Sequence, residues 1–177
     1  MKKLARQAIE FFFRFSNLVS WEAGFEGEDI PDKPDYKVIE FQDGDFHLRQ
    51  EYSVYGVLLP QFVTTKVISY QGKPVWKMTC SGLYHKGTAE FLSRALFRNH
   101  SRGIFTGGRG PVHFILPDHP EDVYENVMFL HKFGNFSGHD KVHFNVNGPN
   151  KDGMVSSKIF SHCNYYGGFI PGSILAP

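Results

Sequence analysis

The segment YKVIEFQDGDFHLRQEY, Tyr36 to Tyr52, constrains the fold more than any other stretch of the chain. Two runs that alternate apolar and polar residues flank Asp43-Gly44, and a two-residue hairpin turn needs the positive φ that glycine adopts without strain. The segment therefore reads as an antiparallel hairpin. The pattern continues in QFVTTKVISYQGKPVWKMTC, where Phe62, Thr64, Lys66, Ile68 and Tyr70 share one strand face. Gln71-Gly72-Lys73 then reverses the chain into a strand from Val75 to Ser81.

Two segments switch from a period of two to a period of 3.6 residues. In MKKLARQAIEFFFRF, the residues Leu4, Ala8, Phe11, Phe12 and Phe15 form an apolar stripe opposite Lys3, Arg6, Gln7, Glu10 and Arg14. The basic start is that of a signal peptide, but Arg6, Gln7, Glu10 and Arg14 interrupt the apolar stretch such a peptide needs. An amphipathic helix covering a sheet fits better than one lying on a membrane. The second helix is AEFLSRALFRN, with Thr88 as its expected N-cap and Phe91, Leu92, Ala95 and Leu96 as its apolar stripe. No run of about 18 apolar residues occurs to span a bilayer, so a soluble, cytoplasmic protein without membrane association is expected.

A length of 177 residues suits one domain with its own core. The 19 lysines and arginines balance 18 aspartates and glutamates, so the overall charge gives no reason to expect nucleic acid as a partner. Cys80 and Cys163 are too few for a disulfide framework and are expected as buried thiols.

Beyond Gly103 the pattern starts again. Phe136, Gly138, Asp140, Val142 and Phe144 align with Phe62, Thr64, Lys66, Ile68 and Tyr70. Each set leads into a glycine-containing turn and a strand that ends in glycine, with a loop longer by 11 residues in the second half (23 residues from Phe144 to Gly167, against 12 from Tyr70 to Gly82). The expected fold is thus α+β: duplicated helix-plus-four-strand units, about 1–87 and 88–177, forming antiparallel sheet with two helices on one face.

GKPVWKM after a strand, the helix AEFLSRAL, the triplet Arg109-Gly110-Pro111 and the closing NYYGGFI together make the chain similar to an uncharacterised prokaryotic domain family of unknown function. The resemblance covers about Pro34 to Ile170. Members of that family occur alone or after helix-turn-helix modules, which implies a link to regulation but no activity. The family strand motif of Phe, Gly and an acidic residue is kept as Phe136, Gly138 and Asp140; the first half has Phe62, Thr64 and Lys66 instead. Likewise the aromatic pair before glycine is kept as Tyr165-Tyr166-Gly167 and replaced by Cys80-Ser81-Gly82 in the first half.

Few residues point to chemistry. His139 and His143 have the spacing of a helical zinc pair, but on a strand four residues span about 13 Å, beyond the reach of one ion. No metal and no cofactor is expected. Adjacent strand residues such as His162 and Cys163 point to opposite faces. The glycines of TGGRG, Thr106 to Gly110, lead into the strand VHFIL and not into the helix that a phosphate loop requires. Arg109 remains an anion-contact candidate.

The expected ligand site is an aromatic-lined pocket built from Trp76, Tyr84, Tyr165 and Tyr166 and oriented by Arg109, Asp140 or His162, suited to a flat or amphipathic small molecule. This makes a small-molecule binding or sensing module the leading reading. An acid-base enzyme using Asp140, His162 and His85 is the alternative, and a protein-interaction or homodimer-forming role is the third.

Overall fold

A computed structural model describes residues 2–18, 27–56, 61–117, 119–145 and 157–175. The chain begins with helix α1 (Lys2–Leu18), followed by strands β1 (Glu28–Ile30), β2 (Lys33–Asp43), β3 (Phe46–Tyr55), β4 (Gln61–Tyr70) and β5 (Lys73–Tyr84). A short 3-10 turn leads into helix α2 (Ala89–His100), after which come β6 (His113–Leu116), β7 (His119–Lys132), β8 (Asn135–Asn145) and β9 (Ser157–Phe169). The nine strands among the described residues join one antiparallel sheet in the order β1-β2-β3-β4-β5-β9-β8-β7-β6.

The turns form at or within one residue of where the sequence puts them, and the expected helix cap does not form. The β2–β3 turn closes with Asp43 opposite Phe46, so its two central residues are Gly44 and Asp45, one place later than the Asp43-Gly44 reading. Gln71 and Gly72 both have positive φ in the β4–β5 turn, as a primed two-residue turn requires. Thr88 precedes α2 but does not cap it; its hydroxyl donates to the His85 carbonyl at 2.7 Å and meets Ser161 Oγ at 2.6 Å. Among the described residues no helix is long and apolar enough to cross a membrane.

Both helices lie on one face of the sheet, where the core sits. On α1, Ala8, Phe11, Phe12 and Phe15 are buried, while Arg6 and Glu10 form an exposed i,i+4 ion pair at 2.9 Å. Phe11 stacks on Phe41 and Phe46, and Phe12 meets Trp76. Trp76 is fully enclosed, with Phe133 and Phe136 stacked against it at 5.0 and 5.5 Å. On the other flank α2 buries Phe91, Leu92 and Ala95 in a smaller cluster with Tyr124 and Val142. Burying a large apolar side chain of this kind contributes about 1.5–3 kcal/mol, so the aromatic content of the chain is spent chiefly on holding α1 to the sheet.

The duplicated architecture does not hold. The chain builds a single nine-stranded sheet rather than two helix-plus-four-strand units, and β5 pairs with β9 in an unbroken ladder from Trp76–Phe169 to Tyr84–Ser161. An extra strand, β1, extends one edge, and β6 has only four residues where β2 has eleven. The physical reason is that alternation of period two belongs to every half-buried strand, so an alignment of alternating runs finds shared pleating and not shared units. The longer loop of the second half falls outside the described residues.

Candidate functional site

Period two divides the sheet into a face covered by the helices and an open face, and polar groups gather on both. Beneath the helices, the segment after α2 turns at Gly107 and Gly108, both with positive φ, and lowers Arg109 onto the sheet. Arg109 Nε donates to Asp140 Oδ2 at 2.6 Å, with the two side chains 9% and 1% exposed. The same carboxylate oxygen accepts from the Tyr124 hydroxyl at 2.9 Å, which itself accepts from the Gly110 N–H at 2.9 Å. Asn126, next to Asp140 across the β7–β8 ladder, donates to the carbonyls of Thr106 and Gly110 and accepts from Tyr165 Oη at 2.5 Å. Asn99 of α2 and Thr106 complete the net. Burial and then the Asp140 charge raise the pKa of both Tyr124 and Tyr165, so both remain phenols and hydrogen-bond donors. Glycine is required at 138, where a Cβ would overlap the Tyr165 hydroxyl and the Val127 carbonyl. The arrangement pins the 104–112 segment to the sheet and leaves its carboxylate engaged with structural partners.

Beside this net lie Lys66, His100 and the two cysteines. Lys66 is half-buried along its length, and its ammonium sits over the rings of Phe12 and Phe15 at 5.7 and 5.8 Å. Burial brings its pKa down to about 8. Cys80 and Cys163 are free, buried neighbours on β5 and β9; a hydrogen bond from Cys163 pulls the Cys80 thiol down, and Arg109 and Lys66 add to this. His100 accepts no proton easily: burial, then the charge of Lys66, lowers it to about 3 from an ordinary 6.5. The folded chain thus holds this imidazole neutral, and stability is lost as pH falls from 6.5 toward 3. Through this group alone the loss should be on the order of 1 kcal/mol per pH unit in that window. Urea titrations at several pH values should show a shallower dependence for His100→Gln; an unchanged slope would contradict the assignment.

The residues singled out from the sequence separate by face. Trp76, Tyr165, Arg109 and Asp140 are together under the helices, all buried. Trp76 is core, donating its indole N–H to the Phe133 carbonyl at 2.9 Å. Tyr166, 62% exposed, and the half-buried His162 stand on the open face. Tyr84 is on β5, and its side chain lies outside the described residues. Asp140 and His162 therefore project from opposite sides of the sheet, while the His85 N–H donates to Ser161 at 3.1 Å. His143 meets Glu125 at 3.1 Å, and the His139 ring packs at a tilt against Phe129. Among the described residues no group of three or more His, Cys, Asp or Glu is placed to hold a metal ion.

Open depressions in the surface are found on both sides of the sheet. One, of about 450 Å³, runs between α1 and the end of α2 and is lined by Ile9, Phe13, Arg14 and His100 among others. The other, of about 360 Å³, opens where β3, β4, β5 and β9 end. Its apolar walls are Tyr55, Phe62, Val63 and Leu83, and its polar groups are Gln61, Ser81, His162 and Asn164. A Cβ at Gly82 would collide with the His162 carbonyl, so this glycine lets β9 press against β5 and fixes the backbone that carries His162. Of the residues read from the sequence, His162 alone reaches this cavity. Tyr55, Gln61, Leu83 and Asn164 were missed, because no local pattern reveals that β9 lies beside β5. Tyr124, Asn126 and Thr106 were missed for a related reason: a polar residue is conspicuous in a strand only when its face is known to be the buried one.

Compared with family models, curated proteins and solved structures, the chain matches nothing.

Proposed function

We propose that the chain is a small-molecule-binding module whose ligand occupies the cavity at the β4–β5–β9 end of the sheet. The observation that supports this reading is the convergence there of four hydrogen-bonding side chains, Gln61, Ser81, His162 and Asn164, on a space walled by Tyr55, Phe62, Val63 and Leu83. A volume of about 360 Å³ is at the small end of ligand sites, which favours a compact amphipathic molecule with one polar end toward His162 and Asn164. The aromatic cluster around Trp76 is filled by its own side chains and offers such a molecule no space.

Native mass spectrometry of protein purified gently from cells, followed by calorimetric titration of any adduct found, tests the reading. A discrete small-molecule adduct is expected, with His162→Ala weakening its binding about tenfold or more while the melting temperature holds, as loss of a hydrogen bond to a ligand group would cause. An adduct bound equally well by His162→Ala would place the ligand elsewhere.

A further inference from the structure

Four large apolar side chains stand in solvent on the open face: Tyr166 at 62%, Phe129 at 65%, Leu130 at 46% and Val127 at 45% exposure. They are neighbours. Tyr166 lies opposite Ser137 on β8, Ser137 opposite Leu130 on β7, and Val127 opposite His139, whose ring contacts Phe129 at 5.5 Å. A β-bulge between Met128 and Leu130 turns two consecutive bulky residues, Phe129 and Leu130, to the same side. A bulge that re-aims side chains and a contiguous exposed apolar patch both mark interaction surfaces.

Lysines predominate among the charges around the patch. By the strand alternation Lys77, Lys141 and Lys132 project from the same open face, and none of them takes part in an ion pair among the described residues. The one acid placed beside them on this face, Glu125, lies opposite Lys141 in the ladder and meets His143 at 3.1 Å. Glu40 and Glu51 stand on the far flank of the sheet, held by Arg49.

We propose that the open face of β5, β9, β8 and β7 binds single-stranded nucleic acid, with bases stacked on Tyr166 and Phe129 and the phosphate backbone held by Lys77, Lys132 and Lys141. Exposed rings on the open face of an antiparallel sheet, framed by cations, form a stacking platform that tolerates any base sequence. The two rings stand on strands separated by one other, about 10 Å apart. Between and beside them Ser137, Asn164 and Thr79 offer donors and acceptors to base edges. A second copy of the chain fits poorly, because self-pairing of this patch sets lysines against lysines. An acidic peptide added as an edge strand fits poorly too, since the bulge interrupts the ladder at this part of β7. Tyr166, Phe129 and the three lysines all lie outside the lining of the small-molecule cavity, and Asn164 alone is common to both surfaces.

Fluorescence anisotropy with labelled oligo-dT and oligo-rU of about 15 nucleotides tests the proposal. Binding should weaken with salt with a log–log slope near −2, from three phosphate contacts at about −0.7 each. Phe129→Ala and Tyr166→Ala should each weaken it by about 5- to 150-fold at unchanged melting temperature, while Tyr166→Trp retains it. Lys77→Glu with Lys132→Glu should abolish most of the salt dependence. Absence of oligonucleotide binding at low salt would overturn the proposal, as would binding indifferent to the aromatic substitutions. It would equally be overturned if an oligo-glutamate peptide bound through Phe129 and Tyr166 where oligonucleotides did not, or if gel filtration showed a dimer that Phe129→Ala dissociates.

Discussion

Asp140→Ala is expected to lower the free energy of unfolding by about 3–5 kcal/mol, the usual consequence of removing one partner from a buried ion pair. Asp140 is 1% exposed, and its Oδ2 receives both Arg109 Nε at 2.6 Å and the Tyr124 hydroxyl at 2.9 Å. Removing the carboxylate takes from a buried guanidinium the ion pair it makes at 2.6 Å and from a buried phenol its acceptor. The effect should reach beyond the contact. Arg109, Gly110 and Thr106 belong to one segment that Asn126 and Tyr124 bind to the sheet, so that segment should exchange its amide protons faster in the variant. Replacing both partners, Arg109→Met with Asp140→Leu, should cost less than the sum of the single changes, because no charge is then left behind. Urea unfolding of the four proteins of the cycle measures this, and strict additivity would show that the pair is not coupled.

The second large effect is expected at Trp76, where truncation to alanine should cost about 3–5 kcal/mol. The ring is fully buried, lies parallel to Phe133 and Phe136, and touches Phe12 of α1. Each aromatic contact adds about 0.5–1.5 kcal/mol beyond the area it buries, and the lost indole N–H leaves the Phe133 carbonyl without its donor. Trp76→Phe should recover the stacking but not the hydrogen bond, so its loss should be intermediate. Thermal melts decide the matter: an alanine variant as stable as the parent would show that the ring is not core. Ligand affinity at the His162 cavity should survive the substitution, because that cavity is lined by other residues.

Local chemistry was legible in the sequence and long-range pairing was not. Asp43-Gly44 announced its hairpin to within one residue, and the Phe11, Phe12 and Phe15 stripe announced a helix lying on the sheet. Both are decided by residues a few positions apart. The neighbour relation of β5 and β9 is decided by how whole surfaces fit, so alternation could not supply it and suggested two separate units in its place. Face assignment suffers in the same way. Tyr165 and Tyr166 are identical in type and adjacent, yet one is 2% exposed and bonded to Asn126 while the other is 62% exposed on the opposite side. Their grouping into one pocket treated as one surface what the pleat makes two. The exposed Phe129 was hidden for a further reason, since a bulge breaks the period from which its direction would be read.

The place of β9 in the sheet bears on how the chain reaches its native state. It inserts between β5 and β8, pairing Trp76 with Phe169 and Tyr84 with Ser161, separations of 93 and 77 residues. Until β9 has been synthesised, β5 presents an unpaired hydrogen-bonding rim next to the apolar side chains of Val75, Trp76 and Met78. Ladders closed over such distances form slowly and expose nascent chains to aggregation. Production of this protein should accordingly improve at low temperature or with chaperones that shield the first five strands during translation.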